Sequence, residues 1–340
     1  MTDDAPEVTL SAVAARSGVS IATVSRVLAG RGELKRETRE RVLNAASELG
    51  YDRSTRPRGR PTTLDPRLIE LVLGGFDDAW TDAMIIGARK AAFDRGYDLV
   101  LTLERDDPSD DWPARVATRR PSGVILGIIR PTQRQLDELR GLRIPIVLLE
   151  PRSDPDGGLA SVGTTDWQGG YDAGRHLALS GPERFVVLSG VPRYRFGRAR
   201  EDGFRQAVAE LRPEAEITHV DSQWTQAPVT DALMRALQPS GGPIGVFAGN
   251  DEMAVSVYRA AKLRGLRIPE DVSVIGFNDE PRAARLQPPL STVHQPLHDI
   301  AARAVELVNT MHHGDGDHRG RVELPCELIL RGSTLPIPEG

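Results

Sequence analysis

One cysteine, Cys326, stands in 340 residues. No disulfide can close within the chain, and a cysteine-built metal site is disfavoured. No apolar run approaches the ~20 residues that a membrane span needs. The opening Met1-Thr2-Asp3-Asp4-Ala5-Pro6-Glu7 is acidic and polar, whereas a secretory leader has a basic start and an apolar stretch. A cytoplasmic protein without membrane contact is therefore expected. Lysine is nearly absent, so almost all positive charge is arginine. There is no nucleophile elbow, phosphate loop or dinucleotide fingerprint, which leaves no motif for an enzyme or a cofactor.

What is present divides unevenly. The net charge is -5, yet residues 1–63 hold eleven Arg and Lys against eight Asp and Glu, leaving thirty-two against forty for the remainder. A mildly basic head on an acidic body suits a nucleic-acid-binding module joined to a small-molecule-binding one. The length allows two or three domains.

The head shows three short helical patterns. Leu10, Val13 and Ala14 share one helix face, with Thr9 as its cap. Gly18 supplies the turn. Ser20 caps a second helix from Ile21 to about Ala29, whose Val24, Val27 and Leu28 face inward and which Gly30 and Gly32 end. A third runs from about Glu37 to Leu49, with Val42, Leu43, Ala46 and Leu49 inward and Gly50 as its stop. Two helices joined by a tight glycine turn, with a third behind them, describe a helix-turn-helix. The second helix enters the major groove. Arg26 suits a guanine edge, Ile21 and Ala22 a thymine methyl, and Ser20, Thr23 and Ser25 bases or phosphates; Thr9 joins this DNA-binding set.

Val8-Thr9-Leu10, Val13-Ala14, Gly18-Val19-Ser20, Thr23-Val24-Ser25-Arg26-Val27-Leu28 and Leu49-Gly50-Tyr51 make this head closely similar to that of the lactose-repressor family of bacterial transcription regulators. The resemblance implies that Ile21 and Ala22 help choose the operator. Lys35 stands where the family often has a serine capping the third helix. The family's hinge segment, Asn-x-x-Ala-x-x-Leu, is replaced: Ser54, Pro57 and Arg60 occupy its marked positions, and Pro57 and Pro61 disfavour a helix. The core of Arg56-Pro57-Arg58-Gly59-Arg60-Pro61 is similar to an AT-hook, in which Arg58 and Arg60 would reach along a narrow minor groove. A basic linker touching only phosphates is the alternative.

From Leu68 onward, short apolar runs alternate with helical stretches. Strands are expected at 68–73, 97–103, 124–127, 146–149, 185–188, 217–220, 244–248 and 272–277. Helices are expected near 81–95, 131–140, 167–180, 199–211, 228–238, 250–264 and 297–312. This alternation argues an α/β body of parallel sheets with helices on both faces, split into two lobes with a ligand between them. The family resemblance continues through Pro121-Ser122-Gly123-Val124-Ile125, Gly197-Arg198-Ala199-Arg200-Glu201-Asp202-Gly203-Phe204, Phe247-Ala248-Gly249-Asn250-Asp251 and Gly265-Leu266-Arg267-Ile268-Pro269-Glu270-Asp271-Val272. It implies a body similar to type I periplasmic sugar-binding proteins.

The expected organisation is a head over 8–53, a linker over 54–66 and a body over 67–335. The N-lobe takes 67–164 and 293–319, and the C-lobe 165–290 and 321–334, with chain crossings near 163–166, 290–293 and 318–322. The resemblance points to Arg200, Asn250 and Asn278 as effector ligands, the last replacing a frequent aspartate, with Asp279 next to it. Arginine and amides suit vicinal hydroxyls. Trp80 and Trp224 are candidates to stack on a sugar ring; Trp167 reads as a helix-start packing residue and Trp112 as a loop residue. Asn250 and Asp251 also suit a helix cap. His312-His313-Gly314-Asp315-Gly316-Asp317-His318 reads as a surface loop, not a metal site.

The expected function is therefore a repressor that binds palindromic operator DNA as a homodimer under control of a small effector, a sugar. The alternative is a cytoplasmic sugar- or nucleoside-binding protein, or an enzyme, without a regulatory role.

Overall fold

The computed structural model describes residues 9–28, 35–49, 51, 67–105, 107, 109–152, 158–239, 242–314 and 320–338. The arginine–proline linker with Arg56, Arg58 and Arg60, the helix-ending Gly30, Gly32 and Gly50, and Asp315–His318 lie outside them. The chain forms two compact units, 1–65 and 66–340.

The first unit contains α1 (Leu10–Ser17), α2 (Ile21–Leu28) and α3 (Arg36–Glu48). Thr9 caps α1, its Oγ1 accepting from the Ala12 backbone N–H at 3.2 Å. Gly18 ends that helix in the left-handed region, at φ 65 and ψ 33, where a Cβ would be strained. Ser20 Oγ then accepts from Thr23 N–H at 3.2 Å, opening α2. Val13, Val24 and Val42, one from each helix, are fully buried and form the centre of the small core. Leu43 departs from expectation. It is half exposed, because Ala45 and Ala46 take the inward positions of α3 beside Val42. Lys35 gives α3 no side-chain cap.

The second unit has two six-stranded sheets. The first-lobe sheet contains β1 (Leu68–Leu73), β2 (Asp98–Leu103), β3 (Gly123–Gly127), β4 (Ile146–Leu149), β5 (Ala160–Thr164) and β11 (Gly320–Leu324), in the order β11-β5-β4-β3-β1-β2, all parallel. The second-lobe sheet contains β6 (Arg184–Val191), β7 (Ile217–Gln223), β8 (Ile244–Ala248), β9 (Val272–Asn278), β10 (Ser291–His294) and β12 (Glu327–Ile329), in the order β12-β10-β9-β8-β6-β7. Only β12 runs antiparallel to its neighbour.

Around the first sheet stand α4 (Ala79–Asp94), α5 (Trp112–Arg119), α6 (Gln133–Gly141) and α11 (Leu297–His312). Around the second stand α7 (Asp166–Leu179), α8 (Arg195–Leu211), α9 (Asp231–Ala236) and α10 (Asp251–Arg264). Burial on both faces explains why central strands such as β3 and β8 are apolar throughout. Glu70 interrupts β1, but its fully buried carboxylate accepts from Thr102 Oγ1 at 2.8 Å and pairs with Arg119 of α5.

Four strands and one helix escaped the sequence pattern. β5, β10, β11 and β12 are three to five residues long and carry Ser, Thr, Gly or Glu, so they show no apolar run. Helix α5 begins at Trp112, which is completely buried and not in a loop.

The chain passes between the lobes three times: from β5 to α7, from β10 to α11 and from β11 to β12. The second passage follows His294 rather than falling near 290–293, and the third follows Leu324 rather than near 318–322, because β10 belongs to the second sheet and β11 to the first. The three passages are tied together. Gln295 Nε2 donates to Thr164 Oγ1 at 2.7 Å, Cys326 N–H to Thr165 Oγ1 at 2.9 Å, and Thr165 N–H to Leu324 O at 3.0 Å.

Candidate functional site

Within the first unit, α2 presents one buried and one open face. Val24 and Val27 are buried, whereas Ile21, Ala22, Ser25 and Arg26 are exposed and Thr23 is partly so. Ile21 is 52% exposed. A β-branched apolar side chain standing out at a helix start suits contact with a thymine methyl better than contact with water. Thr23 Oγ1 lies 2.9 Å from Ser20 Oγ, and Thr9 Oγ1 lies 2.7 Å from Ser11 Oγ. The nearby Arg16 is tied to Glu48 at 2.8 Å. Among the described residues, Arg26 makes only a long bond to its own helix, to Ala22 O at 3.4 Å. It is the one guanidinium on α2.

In the second unit a cleft of about 330 Å³ lies between the lobes. The C-terminal ends of β1, β3 and β4 supply one wall, and those of β6, β7, β8 and β9 the other, as this sheet architecture requires. Arg200, Asn250, Asn278, Trp80 and Trp224 all line it, from five different elements or the loops beside them.

Arg200 is buried, and its bonds are set. Nε donates to Asp166 Oδ1 at 2.9 Å and Nη1 to Gly249 O at 2.8 Å, with the guanidinium 3.8 Å from the Phe277 ring centre. Burial pushes the Asp166 carboxyl upward, and the Arg200 charge and bond oppose that. Arg321 reaches towards the same cluster, 4.0 Å from Asp166 Oδ2 and 3.8 Å from Glu150 Oε2. Glu150 ends β4 at the cleft floor. Its Oε1 accepts from Thr164 N–H at 2.7 Å. Burial, with the like charge of Asp166, raises its pKa to about 8.

Asn250 does two tasks. Its Oδ1 accepts from Met253 N–H at 2.9 Å and caps α10, and its Nδ2 donates to Trp224 O at 2.8 Å. The capping reading and the lining position thus hold together. Asp251 behind it is fully buried and has no cation paired with it among the described residues; its carboxyl group accepts from Thr292 Oγ1 at 2.6 Å and Glu280 N–H at 2.7 Å, and burial raises its pKa to about 8.

Asn278 and Asp279 both adopt positive φ, 107 and 58. That bend turns Asn278 into the cleft and Asp279 out of it. Asp279 does not line the cleft; it pairs with Arg331 at 2.6 Å and His294 at 3.2 Å. Ile128 and Glu150, which end strands on the opposite wall, also have positive φ, 45 and 43. For a β-branched residue this is strained, and such strain concentrates where strand ends build a site.

The two tryptophans differ. Trp224 is boxed in: Tyr194 stacks on it at 5.8 Å, Phe196 meets it edge-on at 4.9 Å, and its indole N–H donates to Pro192 O at 2.8 Å. Gly190 and Gly197 leave it room, since a Cβ on either would fall 2.2 or 2.7 Å from the indole. Trp224 therefore builds the wall. Trp80, on the first lobe, has no stacked ring among the described residues. Trp167 opens α7 and stacks on Tyr171 at 5.2 Å, outside the cleft lining. Sequence reasoning missed Asp77, Asp78, Glu150, Arg152, Tyr194, Phe196 and Glu280. None sits in a motif, and only the meeting of seven strand ends brings them together.

Among the described residues, no cluster of three or more His, Cys, Asp or Glu could hold a metal ion, and no helix is long and apolar enough to cross a membrane. An exposed reading helix on one unit and a two-lobed ligand cleft in the other define a ligand-responsive DNA-binding regulator.

Comparison with known proteins agrees. Residues 9–54 match the bacterial regulatory proteins of the lacI family, and residues 175–334 match the periplasmic binding protein-like domain. The HTH-type transcriptional regulator in the aml 5'region of Streptomyces limosus is 33% identical, over 97% of this chain and 96% of that protein. The HTH-type transcriptional repressor CytR of Escherichia coli K12 is 29% identical, over 97% of each. Among solved structures, the transcriptional regulator CelR–cellobiose complex is 26% identical with a TM-score of 0.66, covering 96% of this chain and 99% of that one. The lac repressor dimer bound to operator and the anti-inducer ONPF shares the fold, with a TM-score of 0.69 at 23% identity and the same coverage. The chain belongs to the lacI family of bacterial transcription regulators.

Proposed function

We propose that this protein is a cytoplasmic repressor, not an enzyme, that binds a palindromic operator as a homodimer and is controlled by a carbohydrate held between its lobes. The cleft carries this reading: it joins a buried, pre-oriented arginine and two asparagines to an aromatic wall at the strand ends of two lobes. Pre-oriented polar groups suit the hydroxyls of a sugar, and a ring such as Trp80 suits its apolar face. Cellobiose in CelR, and ribose in a LacI-family regulator from Enterococcus faecium whose solved structure shares the fold, support a sugar as the effector class. The operator-bound lac repressor dimer supports the partner and assembly. Ser20, Ile21, Ala22, Thr23, Ser25 and Arg26 would read the major groove, with Thr9 on the backbone. Arg56, Arg58 and Arg60 would extend the grip along the linker. Effector binding would bias the two lobes, and through them the operator affinity, by a coupling of ~1–3 kcal/mol that operates equally in reverse.

A thermal-shift screen against sugars, followed by gel shifts on genomic fragments with and without any hit, tests this. A ligand at ~100 times its Kd adds about 2.7 kcal/mol of stability. Retention of no specific fragment would overturn the regulator reading; stabilisation by no sugar would overturn the carbohydrate reading.

A further inference from the structure

We propose that the cleft selects its effector by charge, with Asp78 of the first lobe and Glu280 of the second rejecting an anionic sugar, so that the ligand is uncharged or carries an amine. This deepens the carbohydrate reading and rests on it.

Among the described residues, the cleft holds a buried acceptor that lacks a donor. Asn278 is 7% exposed; its Nδ2 faces Glu280 Oε1 at 3.5 Å, and its Oδ1 has no hydrogen-bond partner. A buried acceptor without a donor costs free energy, so the ligand that completes this site supplies hydroxyl or ammonium hydrogens.

The charges point the same way. Besides Glu150, whose pKa of about 8 keeps it largely neutral at pH 7, three carboxylates line the cleft, Asp77, Asp78 and Glu280, against two guanidiniums, Arg152 and Arg200. Arg200 is already committed to the buried Asp166. Glu280 has Arg282 at 2.8 Å, but that arginine also pairs with Glu252 and does not line the cleft. Arg152 lies over the Tyr194 ring at 5.0 Å and is the remaining cation of the lining. Asp78 and Glu280 sit on opposite lobes; burial is the main cause that raises the Glu280 carboxyl, and the Asp78 charge adds a smaller push. A phosphate or carboxylate held between the lobes would meet Asp77, Asp78 and Glu280, and Arg152 is the lining cation not already committed to Asp166. Like charges brought together cost enough to reject a partner. A hydroxyl or amine would instead bridge the two walls.

Asp78→Asn and Glu280→Gln test the proposal. Asp78 Oδ1 caps α4, accepting from Thr81 N–H at 2.7 Å, and asparagine caps equally well, so the first variant removes charge and little else. Full-length protein is titrated calorimetrically with ribose and ribose 5-phosphate, with glucose, glucosamine and glucose 6-phosphate, and with cellobiose and cellobionate. The expected result is binding of at least one uncharged or amino sugar, with its anionic counterpart weaker by roughly tenfold or more. That gap should narrow severalfold in either variant. An anionic sugar that binds wild type as well as its neutral parent overturns the proposal, and this comparison needs no variant. So does a gap unchanged in every variant whose ligand-free melting shows it folded. If no sugar of any charge binds, the carbohydrate reading itself fails and takes this one with it.

Discussion

Replacing Arg200 by alanine would strip the cleft floor of its central cation. The side chain is buried, as is Asp166, its partner at 2.9 Å. Removing one member of such a pair leaves the other charge buried and uncompensated, which costs about 3–5 kcal/mol. Arg321, 4.0 Å from Asp166 Oδ2, would recover part of this, so about 3 kcal/mol is expected. All four tryptophans, Trp80, Trp112, Trp167 and Trp224, lie in the second unit, so urea denaturation followed by tryptophan fluorescence reports on that unit alone. In a thermal melt the loss corresponds to roughly 6–10 °C. The double variant Arg200→Ala, Asp166→Asn should regain at least about 1 kcal/mol, because no bare charge is then left buried. An Arg200→Ala variant within about 1 kcal/mol of wild type would refute the reasoning, as would a double variant no more stable than the single one.

Asp251 should make stability depend on pH. Its folded pKa of about 8 lies above the ordinary aspartate value, so the folded state holds a proton that the unfolded chain releases. Its contribution is fullest below pH ~4 and is lost as pH rises towards 8; Asp251→Asn should gain on wild type across that window in urea melts at fixed pH, and a constant difference would contradict this. Gly203→Ala should destabilise the second unit by about 1–3 kcal/mol, since its Cβ would fall 2.0 Å from Trp167 O where α7 and α8 cross; an unchanged melting temperature would disprove the close approach. Arg26→Ala should weaken binding to a selected operator by about 1–3 kcal/mol and relax preference at one position, read by gel shift at fixed salt; an equal loss on unrelated DNA would reassign Arg26 to the phosphates.

Much of this was legible along the chain because its causes are local. Thr9, Gly18 and Ser20 mark the ends of α1 and the start of α2 through bonds no more than four residues long. Long apolar runs such as β8 and β9 announce themselves, and the Arg200 and Asn250 segments stand in dense matches to a known family. Leu43 was misjudged because helical spacing alone does not say which of two adjacent positions the neighbouring helices cover. β10 and β11 were missed because their pairing partners, not their own composition, make them strands. Asp279 was grouped with Asn278 by adjacency, and the positive φ of both residues separates them.

The sequence by itself thus determined the kind of molecule: a three-helix head with Arg26 outward, and an α/β body for which Arg200, Asn250 and Asn278 were the residues expected at the cleft. The tertiary structure alone decided the composition of the cleft. Asp78, Glu150 and Glu280 are more than seventy residues apart in the chain and meet only because parallel strands deliver their C-terminal ends to one place. Whether Asn278 Oδ1 lacks a donor, or Arg200 is already paired, depends on burial and on atoms contributed by distant segments. Those relations are absent from any local pattern, and they decide what the pocket will accept.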